Sequence, residues 1–246
     1  YGGLDGYAFG GFATLGGDVV GVQQSVGLAV AERVRGVQLG VVGVALHLEG
    51  AQLGAFNVSG GGEGAQIGFV NVASVLRGPQ VGILNIGDRA DVGVGIINIY
   101  AQGRTQLEVT GDSGGLLRLA VKHGAGWWHS VYTVASSPFY REVALMVGLG
   151  FGARAEITDA LHFDADVMTY YVVDTRWQPG TSFYSRVQLL AGVQVIDALD
   201  VVFGVGLDVF FTDVAGTPVY TPALDVRWDM NTTFWPTLIL GVQAGD

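Results

Sequence analysis

Three side chains that could bind a metal ion occur at a spacing of two residues in the second half of the chain. His162, Asp164 and Asp166 alternate with apolar residues in the segment LHFDADV. Residues two apart on an extended strand point to the same face, so these three side chains would lie together. A metal site needs histidine and carboxylate groups that converge at about 2 Å from the ion. We favour the alternative, a row of polar side chains inside a β-barrel, because buried carboxylates there need arginine partners.

Charged residues elsewhere in 142–244 alternate with apolar residues in the same way. In 145–157, for example, apolar side chains hold one parity, while glycine, Arg154 and Glu156 hold the other. Alternation with a period of two is typical of a strand whose two faces meet different solvents. We therefore predict a polar network that faces the barrel lumen, and its members are Arg154, Glu156, His162, Asp164, Asp166, Arg186, Asp208, Asp225, Arg227 and Asp229.

The segment GDSGG, residues 111–115, is the second place where chemistry could reside. It spells the residues around the nucleophile of chymotrypsin-like proteases. A nucleophilic serine needs a histidine base and an acid that orients it. The only histidine upstream of Ser113 is His47, and the chain has no cysteine. We interpret the segment as a glycine-rich turn between strands predicted over 104–110 and 114–122. The sequence thus predicts no catalytic residue, no cofactor and no enzyme.

Composition limits the environment in which the chain can fold. Half of the 246 residues are hydrophobic and only 14% are charged, against roughly 25% in an ordinary soluble domain. The excess apolar surface needs either an unusually large core or a lipid partner. Forty glycines and the lack of any long apolar run exclude membrane-spanning helices. The net charge of −10 and the scattered basic residues argue against a nucleic-acid partner.

Residues 18–101 contain a tandem repeat with the unit G-x-Q-x-G-x-x-N. Its copies include GAQLGAFN, GAQIGFVN and GPQVGILN, and most begin 14 residues apart. Charges fall between uncharged runs of about ten residues, the length of a tilted membrane-spanning strand. Each repeat could be one antiparallel strand with its turn, or one coil of a β-solenoid with stacked Gln and Asn residues. We favour the antiparallel meander, because a coil of 14 residues leaves little room for an interior.

These patterns together predict an all-β fold. We expect residues 1–246 to form a single antiparallel up-and-down transmembrane β-barrel of about 14–16 strands. Tandem strand repeats of about 14 residues would supply 18–101. Strands with in-and-out alternation would supply 142–244, and they include 160–174, 182–196 and 217–229. The alternative is an N-terminal β-solenoid followed by a C-terminal β-sheet region.

The tandem units resemble the surface-repeat-containing proteins of Gram-negative bacteria, and the resemblance covers 20–213. Segments such as SRVQLLAGVQVIDALDVVFGVGLDV are similar to the strand-rich region that follows the repeats in that family. The resemblance implies a location at the cell surface in the bacterial outer membrane, and it supplies no enzymatic residues.

The expected function follows from the predicted barrel and this resemblance. We expect an integral outer-membrane β-barrel without catalysis, acting as a surface or structural component or as a narrow porin-like pore. Outer-membrane lipids are the expected partners, with other envelope proteins or a second copy of the chain as further candidates. The alternative is a surface-exposed β-solenoid that acts as an adhesin or binding module.

Overall fold

The computed structural model describes residues 3–138, 143–174, 182–212, 226–227 and 232–245. All regular elements in these ranges are β-strands. Within them, no helix is long and apolar enough to cross a membrane. The chain divides into two compact units, residues 1–103 with 124–129 and residues 104–123 with 130–246. The single barrel domain predicted for 1–246 is therefore replaced by two units, and the repeat ends where the first unit ends.

The first unit is a parallel sheet of eight strands whose spatial order is their sequence order. Only two residues separate each strand from the next. Because neighbouring strands run in the same direction, the chain must complete a full coil before it stacks on the preceding strand, which makes the unit a solenoid. The strands are β1 (Leu4–Gly10), β2 (Ala13–Ser25), β3 (Leu28–Leu39), β4 (Val42–Leu53), β5 (Phe56–Ile67), β6 (Val70–Val81), β7 (Leu84–Val94) and β8 (Ile97–Tyr100).

The stacking register of the solenoid reproduces the sequence repeat. Gly21 lies beside Gly36, and Gly36 lies beside Gly50, so the offsets between coils equal the spacings of the Gly-x-Gln pattern. The solenoid alternative is thus confirmed for residues 18–101, and the antiparallel meander predicted there is wrong. The physical reason is that parallel stacking brings identical residues of successive repeats into contact, where their side chains can bond to one another.

A glycine with positive φ lies within each of the strands β1 to β6. Gly50 has a φ of +139°, and a Cβ atom there would lie 2.0 Å from the carbonyl oxygen of Gly36 in the preceding coil. Only glycine tolerates both this backbone conformation and this approach. The meander prediction put turns at charges such as Glu49, but these charges lie beside this glycine within a strand. The breaks between strands fall at uncharged pairs such as Gly40-Val41.

The second unit is a closed antiparallel barrel of eight strands. The last strand pairs with the first and also with the strand before it in the ring, which closes the sheet. The barrel strands are β9 (Arg104–Asp112), β10 (Leu117–Gly124), β11 (Trp128–Ser136), β12 (Val143–Thr158), β13 (Leu161–Asp174), β14 (Ser182–Ile196), β15 (Leu199–Thr212) and β17 (Thr232–Gly245), and the short β16 (Val226–Arg227) pairs with β17.

The predicted antiparallel barrel is confirmed for this second unit. The limits predicted for 182–196 coincide with those of β14, and the strand predicted for 160–174 begins one residue before β13. The ring has eight strands instead of 14–16, because the repeats coil into the solenoid and add no strand to the barrel. Most of the strand predicted for 217–229 lies outside the described residues.

Candidate functional site

Each barrel strand has one buried face and one exposed face. On β13, for instance, Asp164, Asp166 and Met168 are buried, whereas Phe163 and Val167 are 47% and 41% exposed. The buried side chains of different strands contact one another, so this face points into the barrel. The strand alternation read from the sequence therefore separates an interior from an exterior.

A lysine lies at the centre of the first group of buried charges. The Lys122 ammonium is 2.8 Å from a carboxylate oxygen of Glu108 and 2.9 Å from one oxygen each of Asp164 and Asp166. All four side chains are at most 1% exposed. Arg154 donates from Nε and from one terminal nitrogen to Asp164, both at 2.7 Å. We call these five residues the lysine cluster.

A second group of buried charges surrounds an arginine. Arg186 donates two hydrogen bonds to the carboxylate of Asp208 and another to Asp112. The Asp208 carboxylate also accepts hydrogen bonds from the Tyr184 hydroxyl at 2.6 Å and the Thr237 hydroxyl at 2.9 Å. We call these five residues the arginine cluster. Each charged side chain in the two clusters has an ion-pair partner of opposite charge, which lowers the cost of burying it.

Large side chains occupy the rest of the described interior. Trp235, Tyr170, Phe210, Met146 and Met168 are all fully buried. An eight-stranded barrel encloses a space just wide enough for side chains to fill. The described interior is therefore packed with polar and large apolar side chains. A cavity of about 500 Å³ opens at one end, where Arg104, His162 and Asp200 contribute to its wall.

Five of the ten residues predicted for the polar network lie in the two clusters. Arg154, Asp164 and Asp166 belong to the lysine cluster, and Arg186 and Asp208 belong to the arginine cluster.

The other five predicted residues lie elsewhere. His162 is buried near the barrel end, with its Nδ1 3.7 Å from a carboxylate oxygen of Asp200. Glu156 has a side chain that is 67% exposed, and it pairs with Arg104 at 2.8 Å instead of entering the interior. Asp225 and Asp229 lie outside the described residues. For Arg227 only the backbone is described.

Sequence reasoning missed the charges that β9 and β10 contribute. Glu108 and Lys122 belong to the lysine cluster and Asp112 to the arginine cluster, while Arg118 donates to the hydroxyl of Thr110 at 2.9 and 3.1 Å. The signal was present, since the charges of 104–124 fall on one parity against Leu107, Val109, Leu117, Leu119 and Val121. These strands are short, so the alternation is less conspicuous there than after residue 142.

The two candidate reactive groups have structural partners. Asp164 and Asp166 face the Lys122 ammonium, and within the described ranges no three His, Cys, Asp or Glu residues are arranged to hold a metal ion. The Ser113 hydroxyl oxygen accepts a hydrogen bond from the Leu238 backbone N–H at 3.0 Å. Residues 113–116 reverse the chain between β9 and β10. Asp164 and Asp166 are thus members of ion pairs, and Ser113 lies in a turn at the end of a strand.

The solenoid interior contains two ladders of stacked amides. In the glutamine ladder, each Nε2 donates to the Oε1 of the preceding coil at 2.7–2.9 Å. In the asparagine ladder, each Nδ2 donates to the Oδ1 of the following coil at 2.8 Å. The ladders thus run in opposite donor directions. Their members are Gln23, Gln38, Gln52, Gln66 and Gln80 in the first, and Asn57, Asn71, Asn85 and Asn98 in the second.

Removing one hydroxyl at the end of the glutamine ladder should destabilise the solenoid. The buried Tyr100 hydroxyl donates to Gln80 Oε1 at 2.8 Å. Tyr100→Phe leaves that oxygen with fewer partners in a dry site, so we expect a loss of about 1–2 kcal/mol in the free energy of unfolding, measured by denaturant titration. Tyr7→Phe is the matched control, because Tyr7 donates to Gln24 Oε1 at the same distance but is 61% exposed. Equal losses would contradict the prediction.

Tyr100→Phe should also change how the stability of the solenoid depends on pH. Burial raises the pKa of the Tyr100 phenol above its ordinary value near 10. Above about pH 10 the unfolded chain releases this proton while the folded chain retains it, so stability falls as the pH rises. Tyr100→Phe should reduce that alkaline loss.

The exterior of the barrel is predominantly apolar on its described strands, with a few neutral polar side chains such as Thr169 and Ser185. Glu156, near the end of β12, is the one Asp, Glu, Lys or Arg with an exposed side chain on these strands within the described residues. Outward side chains are between 38% and 68% exposed, and they include Leu107, Val109, Leu119, Val121, Leu149, Phe151, Val167, Val187, Leu189, Phe203, Val205, Leu207, Leu238, Leu240 and Val242. The barrel therefore has its charges inside and its hydrocarbon outside, the reverse of a water-soluble domain.

Comparison with known proteins gives weak structural likenesses only. No protein-family model and no curated protein sequence matches the chain. A de novo designed transmembrane β-barrel is similar with a TM-score of 0.34 and 9% identity, over 58% of this chain and 94% of the design. The outer-membrane channel DcaP of Acinetobacter baumannii gives a TM-score of 0.22 and 15% identity, over 53% of this chain and 51% of the channel.

A third similar structure is a triple mutant of the Rhodopseudomonas blastica porin. Its TM-score is 0.14 at 10% identity, over 54% of this chain and 56% of the porin. The chain thus spans about half the length of both natural proteins. Because all these scores are low, the barrel assignment rests on the strand pairings, and the likenesses carry no argument about function.

Proposed function

We propose that the protein is an integral β-barrel of the bacterial outer membrane, with an occluded interior, that serves as a structural or surface component of the envelope. The observation that carries the proposal is the predominantly apolar exterior of a closed barrel. A soluble protein rarely exposes a contiguous apolar patch larger than a few hundred Å². Here such surface surrounds the whole ring of strands, so hydrocarbon is the solvent that fits it.

The dimensions of the apolar band also support a membrane location. On β12, apolar outward residues run from Leu145 to Ile157. That length is about 40 Å along the strand, and a tilt of about 40° reduces it to about 30 Å across the bilayer. This height matches the hydrocarbon core of a membrane. A closed ring also leaves no unpaired sheet edge in lipid.

The lengths of the connections favour one orientation. At one end, β12 joins β13 and β14 joins β15 through two residues each, 159–160 and 197–198. At the other end, seven residues separate β13 from β14 and nineteen separate β15 from β17. Outer-membrane barrels have short turns on the periplasmic side and longer loops outside. We therefore assign the end with 159–160 to the periplasm.

The packed interior favours a structural role over transport. The lysine and arginine clusters lie across the barrel, and large buried side chains fill the space around them. The resemblance of the repeats to surface-repeat-containing proteins supports a place in the Gram-negative envelope. A narrow porin-like pore is the competing function, and the open cavity at one barrel end favours it to a limited degree.

Three measurements on the full chain test this proposal. Protein from an outer-membrane fraction should need detergent for extraction and should migrate differently in a gel before and after boiling. In planar bilayers it should be electrically silent. Monodisperse protein in detergent-free buffer would refute the membrane barrel, and stable conductance steps would replace the structural role with the pore.

A further inference from the structure

One long edge of the solenoid carries only apolar side chains. At the breaks between strands, Val26, Val41, Phe69, Ile83 and Ile96 are 49–63% exposed. Ala55 occupies the same position in the fifth coil. The residues that flank the breaks stack in register from coil to coil and form two further apolar columns. One column follows the breaks and contains Leu28, Val42, Phe56, Val70, Leu84 and Ile97. The other precedes the breaks and contains Leu39, Leu53, Ile67, Val81 and Val94. We call these three columns the apolar edge.

The charges of the repeat lie on the opposite edge. No charged residue occurs in 38–44, 52–58, 66–72, 80–86 or 93–99. They lie next to the positive-φ glycines instead, where Arg35 pairs with Glu49 at 2.9 Å and Arg77 with Glu63 at 2.8 Å. Neighbouring coils are about 4.8 Å apart, so the apolar edge is about 25 Å long. The solenoid is therefore amphipathic across its width.

We propose that the apolar edge is a second surface of the protein that contacts membrane lipid. This inference rests on the proposed membrane location. In this arrangement the apolar edge contacts the hydrocarbon of the bilayer and the charged edge contacts water. The solenoid then lies against the membrane through its side-chain columns, without spanning the bilayer as the barrel does.

Most backbone N–H groups at the breaks are hydrogen bonded within the solenoid. The N–H groups of Phe69, Ile83 and Ile97 donate to carbonyls one coil back at 2.9–3.0 Å. Asn57 and Asn71 donate from inside to the carbonyls of Ile67 and Val81, the residues just before the next breaks, at 2.9 and 3.0 Å. In hydrocarbon an unsatisfied backbone group costs several kcal/mol. The breaks therefore present few unsatisfied backbone donors to lipid.

The distribution of polar groups favours lipid over a protein partner. Protein interfaces carry a polar rim and about one hydrogen bond per 100–200 Å². The columns next to the apolar edge, such as Val44, Val58, Val72 and Ile86, are also apolar, so the edge has no polar rim close by. The edge offers a partner no charged side chain, and most of its backbone donors are used internally. Hydrocarbon complements such a surface.

Site-directed fluorescence can test this contact, because the chain contains no cysteine. Single variants Ile83→Cys and Phe69→Cys place a polarity-sensitive label on the apolar edge. Asp88→Cys places it on the charged edge of the same coil as Ile83, and Val205→Cys places it on the barrel exterior. The full chain is reconstituted in phosphatidylcholine liposomes with and without doxyl-labelled phosphatidylcholine, which quenches only labels that meet lipid chains.

We expect labels at residues 83 and 69 to be quenched as strongly as the label at 205, and the label at 88 to remain unquenched. Quenching at 205 without quenching at 83 and 69 would overturn the proposal and leave the membrane barrel intact. A blue-shifted but unquenched label at 83 would also overturn it and would indicate a dry protein contact, such as a second copy. A lack of quenching at 205 would refute the proposed function itself.

Discussion

Replacement of Lys122 with methionine should destabilise the barrel by about 3–5 kcal/mol, because a buried ion group that loses one partner retains uncompensated charge. Without the ammonium, Glu108, Asp164 and Asp166 would lie together with fewer cations in a site that is at most 1% exposed. The measurement is the free energy of unfolding of the liposome-reconstituted protein in urea.

A matched control separates burial from charge loss. Arg77→Met removes the cation of the exposed pair with Glu63, whose side chains are 74% and 67% exposed, so we expect a loss below about 1 kcal/mol. Adding Asp164→Asn and Asp166→Asn to Lys122→Met should recover part of the stability, since it removes two of the carboxylate charges that lost the Lys122 ammonium. If Lys122→Met costs no more than Arg77→Met, water must reach the lysine cluster, and the pore would become the better interpretation.

An arginine at the centre of the barrel exterior should produce the second large effect. Val205 lies midway along β15, is 52% exposed and faces outward beside Leu189 and Leu238. Charge at the bilayer midplane costs about 2–4 kcal/mol, while charge near the interface costs about 0–1 kcal/mol. We therefore expect Val205→Arg to lower the stability in liposomes by about 2–4 kcal/mol.

Val195→Arg provides the control for depth. Val195 is 60% exposed and lies one residue from the end of β14, where the side chain can reach the interface. Its substitution should cost at most about 1 kcal/mol. Equal effects of the two substitutions on liposome stability would argue against a bilayer around the barrel, because water does not distinguish their positions along the strand.

The sequence predicted the barrel strands well because their signal is local. Alternation with a period of two identified β14 with its observed limits, and it put Arg154 on the same face as Glu156. It did not reveal that the Glu156 side chain is exposed beside Arg104, since parity alone says nothing about where the barrel interior ends. The lysine cluster needed the pairing of four separate strands, which no local pattern contains.

Strand direction in the repeat was the main failure, and it has a physical cause. A run of apolar residues between charges looks the same whether its neighbour runs parallel or antiparallel. The recurrence of Asn57, Asn71 and Asn85 in phase was the better indicator. In a parallel stack these amides meet, as they do at 2.8 Å. In an antiparallel meander the start of one strand lies beside the end of the next, so amides in phase would be kept apart.

The opposed donor directions of the two ladders bear on how the repeat number can change. Every extra coil adds one glutamine bond oriented toward the amino terminus and one asparagine bond oriented toward the carboxyl terminus. Because the two ladders point in opposite directions, a taller stack builds up little net dipole from these amides. In-frame duplication or deletion of a 14-residue unit would therefore change the height of the solenoid and leave its internal bonding pattern as it is.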